Sequence, residues 1–403
     1  MRVLLVNKFH WNKGGSEKYY FELGELLKKH GHEVAYFSME DEKNIKTGDK
    51  EYFVPKFDLN NSSKLKALDV ISNKKNQKIM EHALDDFKPD IVHLNNFQRQ
   101  LSASIIKPCI DRKIPIIFTA HDVQAVCPAI TMMDKDRNPC ELCMHGKYMN
   151  CIKKSCNKGS KLKSALGALE GYYYRFHKIY IEKINYIITP SEFCRKKFIQ
   201  DGIHKKKIIA LHNSVDIQNY NVDTNDGDYA LFFGRLSKEK GVLNLIAAFK
   251  NCKNGKLYIA GDGPERKNIE QIIKENKLEG KVKLLGFLNK EQMTDAISGC
   301  KFVVVPSICY ENCPYSVLEA LAIGKPVIGS NMGGIPELVN DNENGFIYDT
   351  VSELTEKMNL LFENEKLVKQ FSKKSKELAT EKYDREVYYQ KLKKIYDKVI
   401  EEM

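Results

Sequence analysis

Nowhere in its 403 residues does the chain approach the eighteen or so consecutive apolar residues that a bilayer crossing needs. The apolar start Val3 to Val6 is cut off by Asn7 and Lys8 before it can serve as a signal peptide, so the expectation is a protein that stays in the cytoplasm, where it is made. Low-complexity tracts and collagen-like repeats are also missing: 24 Gly and 12 Pro lie scattered among 42% hydrophobic and 29% charged residues. Paired cysteines are not evident either, because 11 thiols make an odd number and a cytosolic chain of this length needs no covalent staples.

What is present is enough apolar material for two domains of roughly 200 residues each. The net charge of +11 is unevenly spread. Met1 to Asp216 holds 37 Lys and Arg against 25 Asp and Glu, and the remainder holds 27 against 28. Within His145 to Lys183 alone the balance is 9 to 2. A surplus confined to one half argues against a nucleic-acid-binding protein, the rival reading that net charge and cysteines suggest.

Short β-branched apolar runs recur at Val3 to Val6, Val34 to Phe37, Ile91 to Leu94, Ile114 to Thr119, Tyr186 to Thr189 and Ile208 to Leu211. The rhythm restarts at Tyr229 to Phe233, Leu257 to Ala260, Val282 to Leu285, Phe302 to Val305, Val327 to Gly329 and Phe346 to Tyr348. Alternation with helical segments predicts two parallel α/β sheets, joined near Asn213 to Asp228, where Asp and Asn accumulate. The expected domains are 1–216, with a Cys-rich basic insert at about 125–183, and 217–383. A helix over 384–403, apolar at Val387, Leu392, Ile395, Tyr396 and Val399, should pack back on the first domain. Ligands of open parallel sheets bind beyond the strands' carboxyl ends, so the chemistry should sit on the loops there.

Those loops carry Gly14 and Gly15 after the first strand, Thr119 to Asp122, Arg235 and Lys240 within Gly234 to Gly241, Gly261 to Pro264, Gly286 and Phe287, Glu311 to Glu319, and Gly333 to Glu337. A helix beginning near Pro314 would place Glu311 in the loop before it and Glu319 inside it. Its free amides at Tyr315, Ser316 and Val317 would face an anion such as a diphosphate. Arg235 and Lys240 are cations that can stabilise a departing diphosphate without a metal. Taken singly, each has a plainer reading: surface charge for Arg235 and Lys240, a turn with Ser16 as N-cap for Gly14 and Gly15, and a satisfied buried imidazole for His121.

Together, these motifs in this order resemble the family 4 glycosyltransferases, retaining enzymes of the GT-B architecture in which two Rossmann-like domains face across a cleft. The resemblance also takes in Glu17, Pro190 to Glu192, Asn213 to Asp216 and Leu285 to Leu288, and so covers nearly the whole chain. It implies that 1–216 is an acceptor domain and 217–383 a nucleotide-sugar-binding domain, that Arg235 and Lys240 bind the diphosphate of a nucleotide-sugar donor, that Glu311 holds hydroxyls of the transferred sugar and that Glu319 takes the ribose. It further implies that Gly286 and Phe287 contact the base, that the amides of Pro314 to Val317 lie near the phosphates, that Gly261 lets backbone approach the ligand, that Gly14 and Gly15 close over the diphosphate and that His121 lies near the sugar. Pro314 has no N–H to give. Asn312-Cys313-Pro314-Tyr315 stands where many members carry a Gly-Phe-Gly or Phe-Pro type segment, a departure that bears on the fit of the donor sugar. No cofactor is needed for the implied transfer to a glycan or lipid-linked acceptor in surface polysaccharide or glycoconjugate assembly. A nucleotide-sugar 2-epimerase of the same architecture is the alternative within enzymes.

Two features stand apart from that resemblance. Cys140 and Cys143, with Cys151 and Cys156, have spacing that admits a structural zinc, leaving Cys127 over. Lys153, Lys154, Lys158, Lys161 and Lys163 precede Tyr172, Tyr173, Tyr174, Phe176, Tyr180 and Tyr186, a pairing suited to peripheral association with an anionic membrane at the inner face of the cell membrane. The competing reading packs those tyrosines into the domain.

Overall fold

The computed structural model describes residues 1–58, 69–220 and 227–403. It contains two parallel sheets. The first has seven strands, β1 (Arg2–Val6), β2 (Glu33–Met39), β3 (Lys50–Val54), β4 (Ile91–Leu94), β5 (Ile116–Thr119), β6 (Tyr186–Thr189) and β7 (Ile208–Ala210), in the order 3-2-1-4-5-6-7. The second has six, β8 (Tyr229–Phe233), β9 (Lys256–Ala260), β10 (Val282–Gly286), β11 (Phe302–Val305), β12 (Val327–Ser330) and β13 (Gly345–Tyr348), in the order 10-9-8-11-12-13. Both orders turn outward from a central strand, which opens a crevice at the carboxyl edge of each sheet.

Burial on both faces explains why the central strands read as unbroken apolar runs. In β8, Ala230 and Phe232 enter the core on one side while Leu231 and Phe233 enter the core on the other, and Phe302 and Val304 of β11 alternate with Val303 and Val305 in the same way. The strand that periodicity does not reveal is β3. Its sequence, Lys50-Glu51-Tyr52-Phe53-Val54, carries two charges in five residues because it forms an edge, with only Val54 fully buried.

Contacts divide the chain into one unit of Met1–Leu211 with Tyr389–Met403 and a second of His212–Tyr388. The break therefore precedes the expected boundary at Asp216. The reason is that His212 Nε2 meets Glu337 Oε2 at 2.8 Å, Asn213 Nδ2 donates to the Cys313 carbonyl and the Val215 amide donates to the Tyr383 carbonyl, all inside the second unit. Of the expected junction, 221–226 lie outside the described residues. The last helix, Arg385–Glu401, starts in the second unit, where Arg385 pairs with Asp216 at 2.6 Å. Its later turns belong to the first unit: Tyr389 stacks on His30 at 3.6 Å, Tyr396 Oη lies 2.6 Å from His93 Nδ1, and Leu392 and Val399 are fully buried. Tyr388 and Tyr389 are more deeply buried than the expected Val387.

Candidate active site

In the second unit every strand is parallel, so the loops that follow the strands gather along one edge of the sheet. The loop after β8 and the loop after β11 are brought together there by a glycine. Gly241 has φ +68°, and a Cβ on it would sit 1.8 Å from the Pro306 carbonyl oxygen, so only glycine permits that approach. The Ile308 amide donates to the Glu239 carbonyl at 2.9 Å, and beside this contact Lys240 Nζ meets Glu311 Oε1 at 2.5 Å.

Glu311 is fixed from three sides. Its Oε1 accepts from Lys240, from Ser307 Oγ at 2.7 Å and from Cys309 Sγ at 3.8 Å. Its backbone forms a parallel bridge with Gly333, whose own Cβ would meet the Glu311 carbonyl at 2.2 Å, and it accepts from the Gly334 amide at 2.7 Å. Glu311 Oε2 has no hydrogen-bond partner among the described residues, so it can accept from a ligand. Burial works most strongly against the Lys240 charge, but the Glu311 carboxylate, its hydrogen bond, Cys309 and Glu239 together raise the ammonium's pKa above its ordinary value. Burial, then the Glu311 charge, pushes the Cys309 thiol up to about 12. Ser307 and Cys309 hold Glu311 yet belong to no pattern that spacing alone makes visible.

The helix after this loop spans Tyr315–Ile323 with Pro314 as N-cap, so Pro314 stands just outside the helix rather than in its first turn. The Val317 amide is occupied within the turn, donating to the Pro314 carbonyl at 3.1 Å, which removes it from the amides expected to face an anion. The positive helix end is thus presented at Tyr315 and Ser316. Glu319 lies one turn inside and accepts from Tyr220 Oη at 3.3 Å. Arg235 is exposed just after β8. Gly261, φ +129°, is required by protein packing, since a Cβ there would strike the Gly234 carbonyl at 1.9 Å. Gly286, φ +70°, ends β10, and Phe287 after it is 83% exposed, a bare aromatic face at the sheet edge.

In the first unit, Gly14 is the N-cap of the helix Gly15–Lys29, so Ser16 falls inside the helix and is not the cap. Gly14 has an extended φ of −173° and no strain; its value is the open backbone at a helix start. Glu17 is buried and accepts from Asn7 Nδ2 at 3.3 Å. His121 Nε2 lies 2.9 Å from Asn95 Oδ1, a contact that places the ring proton on Nε2, and its ring meets Tyr19 edge-on at 4.7 Å. Burial, reinforced by Lys8, lowers its pKa to about 3, so the imidazole is neutral and cannot act as a resident cation at neutral pH.

The cysteines of the insert are free thiols lying close to one another. Among the described residues no group of three or more His, Cys, Asp or Glu side chains is placed to hold a metal ion. Burial raises Cys127 to about 11 and Cys151 to about 12, which keeps them protonated. The tyrosines of the same segment divide. Tyr174, Tyr180 and Tyr186 are buried, while Tyr172 is partly exposed and Phe176 is 83% exposed.

The fold and these loops define a glycosyltransferase with GT-B architecture. The profile of Glycosyltransferase Family 4 matches residues 13–219 and that of Glycosyl transferases group 1 matches residues 216–378, so the chain belongs to glycosyltransferase family 4. An uncharacterized glycosyltransferase of Methanocaldococcus jannaschii is 29% identical over 294 residues, 71% of this chain and 76% of that protein. The α-monoglucosyldiacylglycerol synthase of Acholeplasma laidlawii is 26% identical over 221 residues, 52% of each chain. Among solved structures, Anabaena HepE in complex with UDP shares the fold with a TM-score of 0.74 at 18% identity, covering 99% of this chain and 100% of that one. No helix among the described residues is long and apolar enough to cross a membrane.

Proposed function

We propose that this chain is a retaining, metal-independent glycosyltransferase that moves a sugar from a nucleotide-diphosphate sugar to a glycan or lipid-linked acceptor in surface polysaccharide or glycoconjugate assembly. The observation that carries this reading is the Lys240–Glu311 pair beside the helix start at Tyr315 and Ser316, where the loops after parallel strands meet. A fixed cation and a helix N-terminus suit a diphosphate, and a carboxylate with one oxygen open suits sugar hydroxyls. That HepE, a protein of the same fold, binds UDP supports a nucleotide donor.

In the proposed reaction the bond between the anomeric carbon and the phosphate oxygen breaks, and its electron pair leaves with the nucleoside diphosphate. Arg235, Lys240 and the Ser316 amide stabilise the departing charge, Glu311 orients the sugar, Glu319 receives the ribose and Phe287 flanks the base. The acceptor hydroxyl attacks from the face the phosphate leaves, and its proton passes to a leaving phosphate oxygen. His121, neutral and bonded to Asn95, contributes shape and a hydrogen bond near the sugar. A donor screen followed by NMR of the product's anomeric proton tests this: the product keeps the donor's anomeric configuration, and excess chelator leaves the rate unchanged. An inverted product, or a rate abolished by chelator and restored by a divalent cation, defeats it.

Peripheral membrane association is part of the same proposal. Leu162, Leu169 and Phe176, seven residues apart in the helix Lys161–Phe176, are 68%, 46% and 83% exposed, with Lys158, Lys161 and Lys163 at the near end. An apolar stripe edged by lysines fits an anionic bilayer surface, and the name of the Acholeplasma relative points to a lipid product. Vesicles containing anionic lipid should sediment the protein, and the Leu162→Glu/Phe176→Glu variant should weaken binding by about tenfold or more. Equal binding by both proteins argues against the stripe.

A further inference from the structure

Within the first unit a cavity of about 430 Å³ opens beside the loop that follows β1. Lys8, Lys13, Lys56, Arg99, Lys158 and Lys163 line it against three carboxylates, Asp41, Asp58 and Glu170, a surplus of three positive charges. Asp41 pairs with Lys56 at 3.0 Å inside the wall, and Glu170 accepts from the Arg99 amide at 2.9 Å and from Gln124 Nε2 at 2.9 Å. Lys8 has no carboxylate within ion-pair distance among the described residues, and burial lowers its pKa, against the raising influence of Asp122, Glu17 and Glu170.

The same wall has an apolar side. Phe9 and Trp11 pack with ring centroids 6.0 Å apart, and the Lys13 ammonium stands 3.6 Å over Phe9. Two buried polar atoms of lining residues, Trp11 Nε1 and Gln100 Oε1, have no hydrogen-bond partner among the described residues. Arg99 is held at φ +67°, a region unfavourable for a side-chain-bearing residue, by the bond from its amide to buried Glu170. Cations in surplus beside an aromatic face describe a receptor for a ring or chain that carries an oxyanion.

We infer that this cavity receives the acceptor and that the acceptor is anionic, with a phosphate or carboxylate group held by Lys8 and the lysines around it and its ring or chain laid against Phe9 and Trp11. This inference rests on the transferase reading proposed above. The loop that supplies Lys8, Phe9, Trp11 and Lys13 ends at Gly14 and Gly15, where the first unit's helix Gly15–Lys29 begins.

Trp11 is the only tryptophan in the chain, so its fluorescence reports occupancy of this cavity without any need for turnover. The full chain, saturated with UDP, would be titrated with methyl α-glucuronide, with a detergent-dispersed polyprenyl diphosphate sugar and with neutral methyl α-glucoside. The expected result is a saturable change in Trp11 emission with one of the two anionic probes, at least tenfold tighter than with the glucoside and weakening as salt rises. Whichever anionic probe responds identifies the source of the charge. Lys8→Gln should weaken that probe about tenfold, as should Lys56→Ala, a half-exposed lining residue outside the stripe assigned to the membrane, while UDP affinity measured by thermal shift stays within about twofold. Equal response to charged and neutral probes, insensitivity to both variants, or displacement of UDP by the anionic probe overturns the inference. Failure to bind UDP at all would instead sink the transferase reading.

Discussion

Lys240→Ala is expected to lower kcat by roughly 10²- to 10³-fold, the range typical of removing one preorganised group that stabilises developing negative charge. The lysine is held in place before any donor arrives, because Glu311 pairs with it at 2.5 Å while Ser307 and Cys309 fix Glu311 in turn. Its electrostatic effect therefore costs little reorganisation when the leaving group departs. Glu311→Ala should also lose turnover strongly. The double variant should be much less impaired than the product of the two single losses, because residues that act as a unit are not additive. Stability should change less than activity, because the Lys240 side chain is 31% exposed and water can reach the site it vacates. Steady-state kinetics of the three variants, with thermal melts alongside, provide the check, and near-normal rates in both single variants would defeat the assigned roles.

Gly241→Ala should be at least as damaging, for a different reason. The new methyl group would be placed 1.8 Å from the Pro306 carbonyl oxygen, and φ +68° is itself unfavourable for alanine. The loop after β8 must then withdraw from the loop after β11, carrying Lys240 from Glu311. A loss of about 3 kcal/mol or more and near-complete loss of turnover are expected. Gly280→Ala is the control: a Cβ there meets no atom within 4 Å, and its melting point and kcat should be nearly unchanged. A Gly241→Ala protein with wild-type stability and rate would show that the close approach of the two loops is dispensable.

Much of the architecture was legible in periodicity because strands of a parallel sheet are buried on both faces and cannot hide polar residues. Val3 to Val6 and Phe302 to Val305 read plainly for that reason, and β3 did not, since an edge strand tolerates Lys50 and Glu51. At the candidate site, Glu311, Lys240, Arg235 and Glu319 could be nominated from residue type and position after strands. Ser307 and Cys309 could not, because a serine or cysteine in a loop carries no signal until its partner is known. For Gly241 and Gly333, composition says only that a turn is allowed; the reason for glycine is a carbonyl from a segment distant in the chain.

The alternation of apolar runs with helical segments was enough to specify two α/β sheets and the edge where chemistry must gather, because those patterns are set by local backbone geometry and burial. Which side chains meet at that edge was decided by tertiary packing. The 71-position separation of Lys240 and Glu311 is closed to one hydrogen bond only by a particular strand order and a particular glycine. The same holds in the first unit, where cations from separate segments converge on one cavity. Contact energies depend on distance in space, and distance in space is what a linear sequence does not contain.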